Sequence, residues 1–572
     1  MKLKAGLEIH QQLNSGKLFC RCNPSESGKN LLFKRKLYAT SSELGEVDIA
    51  AKTEQKKLFT YYNKSCNCLV YTDEEPPRGP NKNALKIALQ FARLVGAKVV
   101  EEMHFMRKVV VDGSNTSGFQ RTGLIATGGK IEYDGKVLEL DQLCLEEDSC
   151  RHGEKDNEYL LDRLGIPLLE ITTKPQLNDS KDVQKAAKAI GRLLRACNVK
   201  RGLGTIRQDV NVSINNGQRV ELKGFQDLTS MPTVVDNEIK RQTNLNKLEK
   251  AKIDKSIIVN DCFLQKKEFA LALKIENWNG ILGTKNSPSN HLRMGKELSD
   301  YAKRAGIKGI MHSDELPDYG IALQETKNIK NKLNCKENDA FILIFGKEDK
   351  TRNAMNFVIE RIKTTGVPKE VRKVTPDNLT RFLRPMPGAS RMYPETDIAP
   401  LKINKIKVSI PKTLDEREND LPLNNEESKQ LVNRNLDEQF NNLNKKYEVP
   451  KLISRILLHT LPQLRDEGKN ITINDIEKVL DLFKKELIVK EGISRALIQS
   501  SQGKDIEINS GNIEKEVKEF IEDLVKNKEN FIKERGMGAV GALMGPVMSK
   551  FRGRMDGGNI NKLLMERIME II

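Results

Sequence analysis

The stretch Ile206-Arg207-Gln208-Asp209-Val210-Asn211-Val212-Ser213-Ile214-Asn215-Asn216-Gly217-Gln218-Arg219-Val220-Glu221-Leu222-Lys223 alternates in two runs around a turn signal. In the first run Ile206, Val210, Val212 and Ile214 form an apolar face, and Arg207, Asp209, Asn211 and Ser213 form a polar one. In the second, Val220 and Leu222 point inward, while Arg219, Glu221 and Lys223 point outward. A period of two is the mark of half-buried strands. A two-residue Asn216-Gly217 turn would oppose Asn211 to Leu222 and mix the faces. A three-residue loop with Gly217 left-handed opposes Asn211 to Glu221, Asp209 to Lys223 and Val212 to Val220. The pattern therefore predicts the three-residue hairpin.

The same alternation recurs from Leu3 to Leu13, where it puts Glu8, His10 and Gln12 on one face. Leu143-Cys144-Leu145-Glu146-Glu147-Asp148 reads as an apolar strand ending in three acids. Ile166-Pro167-Leu168-Leu169-Glu170-Ile171-Thr172 carries one acid inside an apolar run. Asp134-Gly135 between Tyr133 and Val137 signals a hairpin. Asn81 precedes a helical stripe of Ala84, Ile87, Ala88, Phe91, Ala92 and Val95, and Gly96 ends it. Val183, Ala186, Ile190, Leu193 and Cys197 mark a second amphipathic helix. Gly280, Gly283 and Ser287-Pro288-Ser289 punctuate the chain near residue 276, and a separate module follows to about residue 377. Beyond Pro411 the pattern is helical and rich in charge.

The chain has 572 residues, 38% hydrophobic and 31% charged, which describes a globular chain of several domains. No apolar run reaches the ~18 residues of a membrane helix. The first residues lack a signal-peptide core, so a cytoplasmic protein is expected. Lys+Arg is 96 against 79 Asp+Glu, a net charge of +17 that suits a polyanionic partner. Aromatics are only 5%, so a phosphate- and shape-reading contact fits better than base stacking.

Alternating charges usually mean a solvated sheet face. That reading fits Arg219, Lys223 and Asp209. It fits Glu170 poorly, because a lone acid in an apolar strand is costly unless paired or metal-bound. Several carboxylates with one imidazole suit Mg²⁺, which prefers oxygen. With Arg and Lys beside them they form the equipment of phosphoryl transfer. Cys20-Arg21-Cys22 and Cys66-Asn67-Cys68 are two paired thiol clusters, expected to hold structural Zn²⁺ although their spacing is tight. Gly536-Met537-Gly538-Ala539-Val540-Gly541 fits a dinucleotide string but follows a helical segment, so a small-residue helix face is expected there.

Gly6-Leu7-Glu8-Ile9-His10-Gln11-Gln12-Leu13, Leu145-Glu146-Glu147-Asp148, Gly165-Ile166-Pro167-Leu168-Leu169-Glu170-Ile171 and Arg207-Gln208-Asp209-Val210-Asn211-Val212-Ser213 resemble the B/E subunits of glutamyl-tRNA(Gln) amidotransferase. Met106-Arg107-Lys108, the run from Asp112 to Thr122 and the run from Arg384 to Asp397 resemble the archaeal E branch. Gly306-Ile307-Lys308-Gly309-Ile310 and His312-Ser313-Asp314-Glu315-Leu316-Pro317 are similar to an insertion shared with bacterial aspartyl-tRNA synthetases.

The resemblance implies a multidomain α+β fold. A mixed α/β cradle spans residues 1–275 and 378–410, and the synthetase-like α+β insertion spans 276–377. A helical domain follows at 411–485, and a helical, tRNA-binding tail at 486–572. The resemblance also implies ATP-dependent conversion of Glu-tRNA(Gln) to Gln-tRNA(Gln) through a γ-phosphoryl-glutamyl intermediate. Ammonia would come from an asparaginase-like glutaminase, the D subunit, in a heterotetramer of two D and two E subunits. Glu8, His10, Glu147 and Glu170 are the first choices for the Mg²⁺ site and catalysis, with Glu146 the alternative to Glu147. Asp209, Asn211 and Glu221 extend the Mg²⁺ set. Arg207 is a phosphate contact or a salt-bridge partner of Glu221. Lys550, Arg552 and Arg554 are the tail's expected phosphate contacts. A non-catalytic tRNA-binding scaffold is the second reading, and an aminoacyl-tRNA synthetase the third.

Overall fold

The computed structural model describes every residue except 1, 23–29, 42–44, 48–50, 52–56, 63–67, 156, 216, 226, 264–267, 284–292, 389–390, 509–512 and 552–553. It is a mixed α+β protein that divides into two compact units, Met1–Pro411 and Lys412–Ile572.

The first unit is organised by a twelve-stranded sheet. Ten of its strands form a continuous path. In chain order they are β1 (Leu3–Gln12), β2 (Phe105–Val109), β3 (Phe119–Thr127), β4 (Lys136–Glu147), β5 (Pro167–Thr173), β6 (Ile206–Ile214), β7 (Val220–Lys223), β8 (Glu370–Val374), β9 (Thr380–Pro385) and β10 (Met392–Pro394). Their spatial order is β9-β8-β7-β6-β1-β5-β4-β3-β2-β10. Neighbours are antiparallel except β7 and β8, which run parallel.

The alternation in β1, β6 and β7 drives their apolar sides into the core. Leu7, Ile9, Val210, Val212, Val220 and Leu222 are at most 1% exposed. Each such side chain contributes about 1.5–3 kcal/mol by leaving water. Helices α1 (Lys82–Leu94), α2 (Ser180–Ala196) and α3 (Met231–Lys247) share that core. Asn81 caps α1 by accepting hydrogen bonds from Asn83 N and Ala84 N. Asp179 caps α2 in the same way. These caps satisfy amide groups that a helix cannot satisfy itself.

The β6–β7 ladder pairs Val210 with Leu222, Asn211 with Glu221 and Val212 with Val220, the register expected from the alternation. The turn differs in detail. Its left-handed residue is Asn215 (φ 49°), not Gly217. Asn215 exchanges two hydrogen bonds of 2.9 Å with Lys2, the residue before β1, using its amide N–H and its side-chain oxygen. Asn tolerates this conformation better than most residues. Asn216 lies outside the described residues.

A five-stranded antiparallel sheet forms the core of the inserted module. Its strands begin at Lys252, ahead of residue 276, and end at Gly346. Helices α4 (Met294–Ala302) and α5 (Glu348–Lys363) accompany it. At β8 the chain has already rejoined the large sheet, ahead of residue 377.

The second unit is all helical in its described residues. It has two apolar clusters, one built from Leu414 to Leu497 and the other from Ile513 to Ile568. The helix Ile493–Ser501 packs with the first, beyond the sequence boundary at 485. Gly536–Gly538 forms a short 3-10 turn between the helices Glu529–Arg535 and Ala539–Phe551, so the first half of that glycine string breaks the helix and only Ala539-Val540-Gly541 lies on the expected helix. Among the described residues, no helix is long and apolar enough to cross a membrane.

Candidate active site

Residues directly opposite in neighbouring strands share a sheet face. Glu8 lies opposite Thr172 of β5 and Asp209 of β6, and His10 lies opposite Glu170 and Arg207. Glu146 of β4 lies opposite Leu168 of β5 and Thr122 of β3, on the same side. The face therefore gathers Glu8, His10, Glu146, Glu170 and Asp209 from four strands.

His10 Nε2 is 3.7 Å from Glu8 Oε1, 3.7 Å from Glu146 Oε2 and 3.9 Å from Glu170 Oε2. Two groups of donors, Glu8–His10–Asp209 and His10–Glu146–Glu170, each place their ligand atoms within 4.8 Å of one another. His10 belongs to both. Carboxylate oxygens with one imidazole are the donor set of a hard divalent cation, so these residues fit Mg²⁺.

Lysines border both groups. Lys108 of β2 reaches Glu146 Oε1 at 2.5 Å and Glu170 Oε2 at 3.5 Å. Lys223 of β7 bridges Asp209 and Glu221. Asn211 lies opposite Glu221 at the edge of the same face.

Burial and charge tune these groups. Burial pushes the His10 imidazole below its ordinary pKa, against the pull of Glu146 and Glu8, and so favours the neutral ligand form. Burial raises the Glu170 carboxyl well above the usual range, and the charge of Glu146 adds to the effect. Burial also opposes ionisation of Glu146, but the Lys108 ammonium, a hydrogen bond with Glu170 and the nearby His10 together outweigh it and hold that carboxyl low. Asp209 is raised by burial, with Lys223 acting against the shift.

Glu147, a first choice from sequence, is not in this cluster. Adjacent strand residues face opposite ways, and Glu147 points to the other side of β4. There it accepts the Arg121 amide at 3.0 Å, and the Arg121 guanidinium lies 3.5 Å away. Arg121 also donates to Glu395 at 2.6 Å, as does Arg107. Glu146, the alternative, occupies the place beside His10 and Glu170. Arg207 pairs with Asp148 at 2.8 Å rather than with Glu221.

The thiols of Cys20, Cys22 and Cys68 converge, with ligand atoms within 4.8 Å of one another. A hydrogen bond from Cys20 pulls the Cys68 thiol down to about 5. Three such sulfurs fit a zinc site lacking one ligand. The expected fourth, Cys66, lies outside the described residues. In the second unit the Lys550 ammonium sits 4.2 Å from the Phe520 ring centroid. Arg554 pairs with Glu516 at 2.9 Å, and Arg552 lies outside the described residues.

Sequence reasoning missed Lys108 and Asp148 as site residues. Asp148 was visible as the last acid of its strand, but its partners come from distant segments. Nothing in the local pattern of Phe105–Val109 marks Lys108, whose place depends on the pairing of β2 with β3.

Fold and site together define a multidomain α+β protein with a carboxylate- and imidazole-bearing face suited to hard cations. Residues 3–409 match the GatB/GatE catalytic domain, and residues 438–568 match the GatB domain. The chain is 40% identical to the E subunit of the glutamyl-tRNA(Gln) amidotransferase of Thermococcus gammatolerans, over 100% of this chain and 98% of that protein. It is 40% identical to the corresponding E subunit of Methanocaldococcus jannaschii, over 100% and 99% of the two chains. For the E subunit of Archaeoglobus fulgidus the figures are 39%, 100% and 98%. The chain belongs to the GatB/GatE family.

Proposed function

We propose that this chain is the kinase and transamidase subunit of an amidotransferase that converts Glu-tRNA(Gln) to Gln-tRNA(Gln). The observation that carries the reading is the acid-rich face around His10, bordered by Lys108, Lys223 and Arg207. A carboxylate resists amination because its oxygen is a poor leaving group. A γ-carboxylate oxygen of the attached glutamate therefore attacks the γ-phosphorus of ATP. The bond from that phosphorus to the β–γ bridging oxygen breaks, and ADP departs with the electron pair. Ammonia then adds to the acyl carbon, the nitrogen sheds one proton, and phosphate leaves as the amide forms.

Glu8, His10, Glu146, Glu170 and Asp209 would hold Mg²⁺, with Asn211 and Glu221 at the edge of the set. Bound Mg²⁺ would supply positive charge against the phosphoryl oxygens. Arg207 contacts a phosphate of the nucleotide or of the intermediate. Cys20, Cys22, Cys66 and Cys68 hold a structural zinc. Lys550, Arg552 and Arg554 contact the tRNA backbone. An asparaginase-like D subunit supplies ammonia within a cytoplasmic heterotetramer of two D and two E subunits.

The pairing of Lys108 and Lys223 with the site acids favours a second reading, a tRNA-binding scaffold whose acids are structural. One assay separates the two. The full chain is incubated with concentrated ammonium, ATP, Mg²⁺ and labelled Glu-tRNA(Gln), with and without a glutaminase partner. Conversion to glutamine by the chain alone supports the catalytic reading. tRNA binding without ATP-dependent turnover in either mixture supports the scaffold.

A further inference from the structure

Arg207 stands directly opposite His10 in the β1–β6 ladder, beside the carboxylate cluster. Its side chain is 38% exposed, so the strand alone does not fix it. Among the described residues its guanidinium makes one hydrogen bond, from Nη2 to Asp148 Oδ1 at 2.8 Å. Nε and Nη1 remain available to a ligand. An arginine held by one edge presents the other as a preformed fork for phosphate oxygens.

Asp148 is built into place from several sides. It is 1% exposed. Its Oδ2 accepts Gln12 Nε2 at 2.8 Å and lies 3.6 Å from Arg163 Nε. Its Oδ1 accepts the Ser149 amide at 2.9 Å. Its backbone is locked to the turn before β5, through Asp148 N to Ile166 O at 2.8 Å and Gly165 N to Asp148 O at 2.9 Å. Arg163 in turn donates to Ser149 O at 3.0 Å and Cys150 O at 2.9 Å, which fixes it against that loop. The acid therefore leads directly from β4, the strand of Glu146, to the exposed cation opposite His10.

We propose that Asp148 is a positioning residue that holds Arg207 by its Nη2 edge, so that Nε and Nη1 meet a phosphate oxygen of the reacting group. This rests on the proposed phosphoryl transfer and adds a residue to it. Asp148 touches no substrate. Its effect passes through Arg207, and the buried contacts with Gln12, Arg163 and Ser149 keep the carboxylate from turning with it.

The test is a double-mutant cycle on the full-length chain, in whichever preparation gives turnover for the unaltered protein. kcat and KM for ATP are measured for Asp148→Asn, Arg207→Gln and the double variant. Asp148→Asn keeps the volume and an acceptor for Ser149 N. Each single change should lower kcat by a similar factor, roughly ten- to a hundredfold, and the double variant should be no worse than Arg207→Gln. Losses that multiply in the double variant, or an unchanged kcat for Asp148→Asn, overturn the proposal while leaving the role of Arg207 standing. An unchanged kcat and KM for Arg207→Gln instead removes Arg207 from the proposed mechanism. Should Asp148→Asn lose its melting transition, Arg207→Lys puts the same question. A lysine keeps the charge and the salt bridge but has no second edge, so it should be as impaired as Arg207→Gln. Restored turnover with lysine would overturn the positioning role.

Discussion

Two charge clusters in the first unit are similar in composition and opposite in design. One is the face around His10. The other joins α3, α4, β8 and β9, and contains Glu238, Arg241, Glu297, Glu370 and Arg372. In the second cluster every nitrogen of Arg372 has an acceptor. Nη2 meets Glu297 at 2.7 Å, Nη1 meets Glu370 at 2.5 Å, and Nε and Nη2 meet Thr380 at 2.8 Å. Arg241 forks onto Glu238 with two bonds of 2.9 Å. Tyr301 donates to the remaining oxygen of Glu370 at 2.5 Å. Planar arginines close this network nearly in balance, deep in the protein. On the face around His10, point-charged lysines meet a larger set of acids. Lys108 and Lys223 stand against Glu8, Glu146, Glu170, Asp209 and Glu221, while Arg207 is engaged by Asp148. A closed ion network holds elements together. An acid surplus with an uncharged imidazole at its centre calls for a cation from outside.

The largest expected effect breaks the open cluster. Glu170→Gln should reduce ATP-dependent transamidation by roughly a hundredfold or more, with the melting temperature unchanged or raised because a buried acid has been removed. Near-normal turnover at saturating Mg²⁺ would take Glu170 out of the metal site. The closed cluster should answer in stability rather than in turnover. Arg372→Met leaves three buried carboxylates short of a partner, which costs about 3–5 kcal/mol. A large drop in the denaturation midpoint is expected, with turnover per folded molecule nearly retained. If Arg372→Met abolished turnover in protein that still melted cooperatively, the division between structural and functional clusters would fail.

Much of the sheet was legible because alternation constrains register strictly. A two-residue turn would mix the faces of β6 and β7, whereas the three-residue turn keeps Val210, Val212, Val220 and Leu222 on one side, and that pairing is observed. Alternation also put Glu8 and His10 on one face. It was silent on parity between strands. Whether Glu146 or Glu147 joins His10 depends on how β4 registers with β5, and an apolar run followed by three acids is compatible with either. Lys108 was hidden for the same reason. The closed network left no trace in sequence, since Glu297 and Arg372 lie 75 residues apart on a helix and a strand. The turn at Asn215 escaped because its conformation is held by Lys2, far away in the chain.

A smaller effect sharpens the comparison through ligand linkage. Mg²⁺ at a hundred times its dissociation constant should stabilise the unaltered protein by about 2.7 kcal/mol, and chelation should reverse this. Glu8→Gln should weaken the response, whereas a change at Arg372 should leave the increment intact on a lower baseline. Equal stabilisation of the Glu8→Gln variant would mean that the ion binds elsewhere.

The smallest and most specific effect concerns acid. The Glu297 carboxyl is buried, which by itself would raise its pKa, but the guanidinium groups of Arg372 and Arg241 prevail and hold it at about 2, against an ordinary 4.5. A depressed folded-state value means that the unfolded chain takes up the proton first. The stabilisation from Glu297 is therefore complete above pH 4.5 and is lost as the pH falls from there toward 2. Glu238 is also held low in the same network, where Arg241, Arg372 and a Gln242 hydrogen bond together overcome the effect of burial, and it acts with the same sign. Glu297→Gln should lower the denaturation midpoint at neutral pH and flatten its decline through that acid window, because the variant has no proton to take up at this position. A decline as steep as that of the unaltered protein would assign the acid sensitivity to other carboxylates, and the Arg372 network would then be a weaker clasp than its geometry indicates.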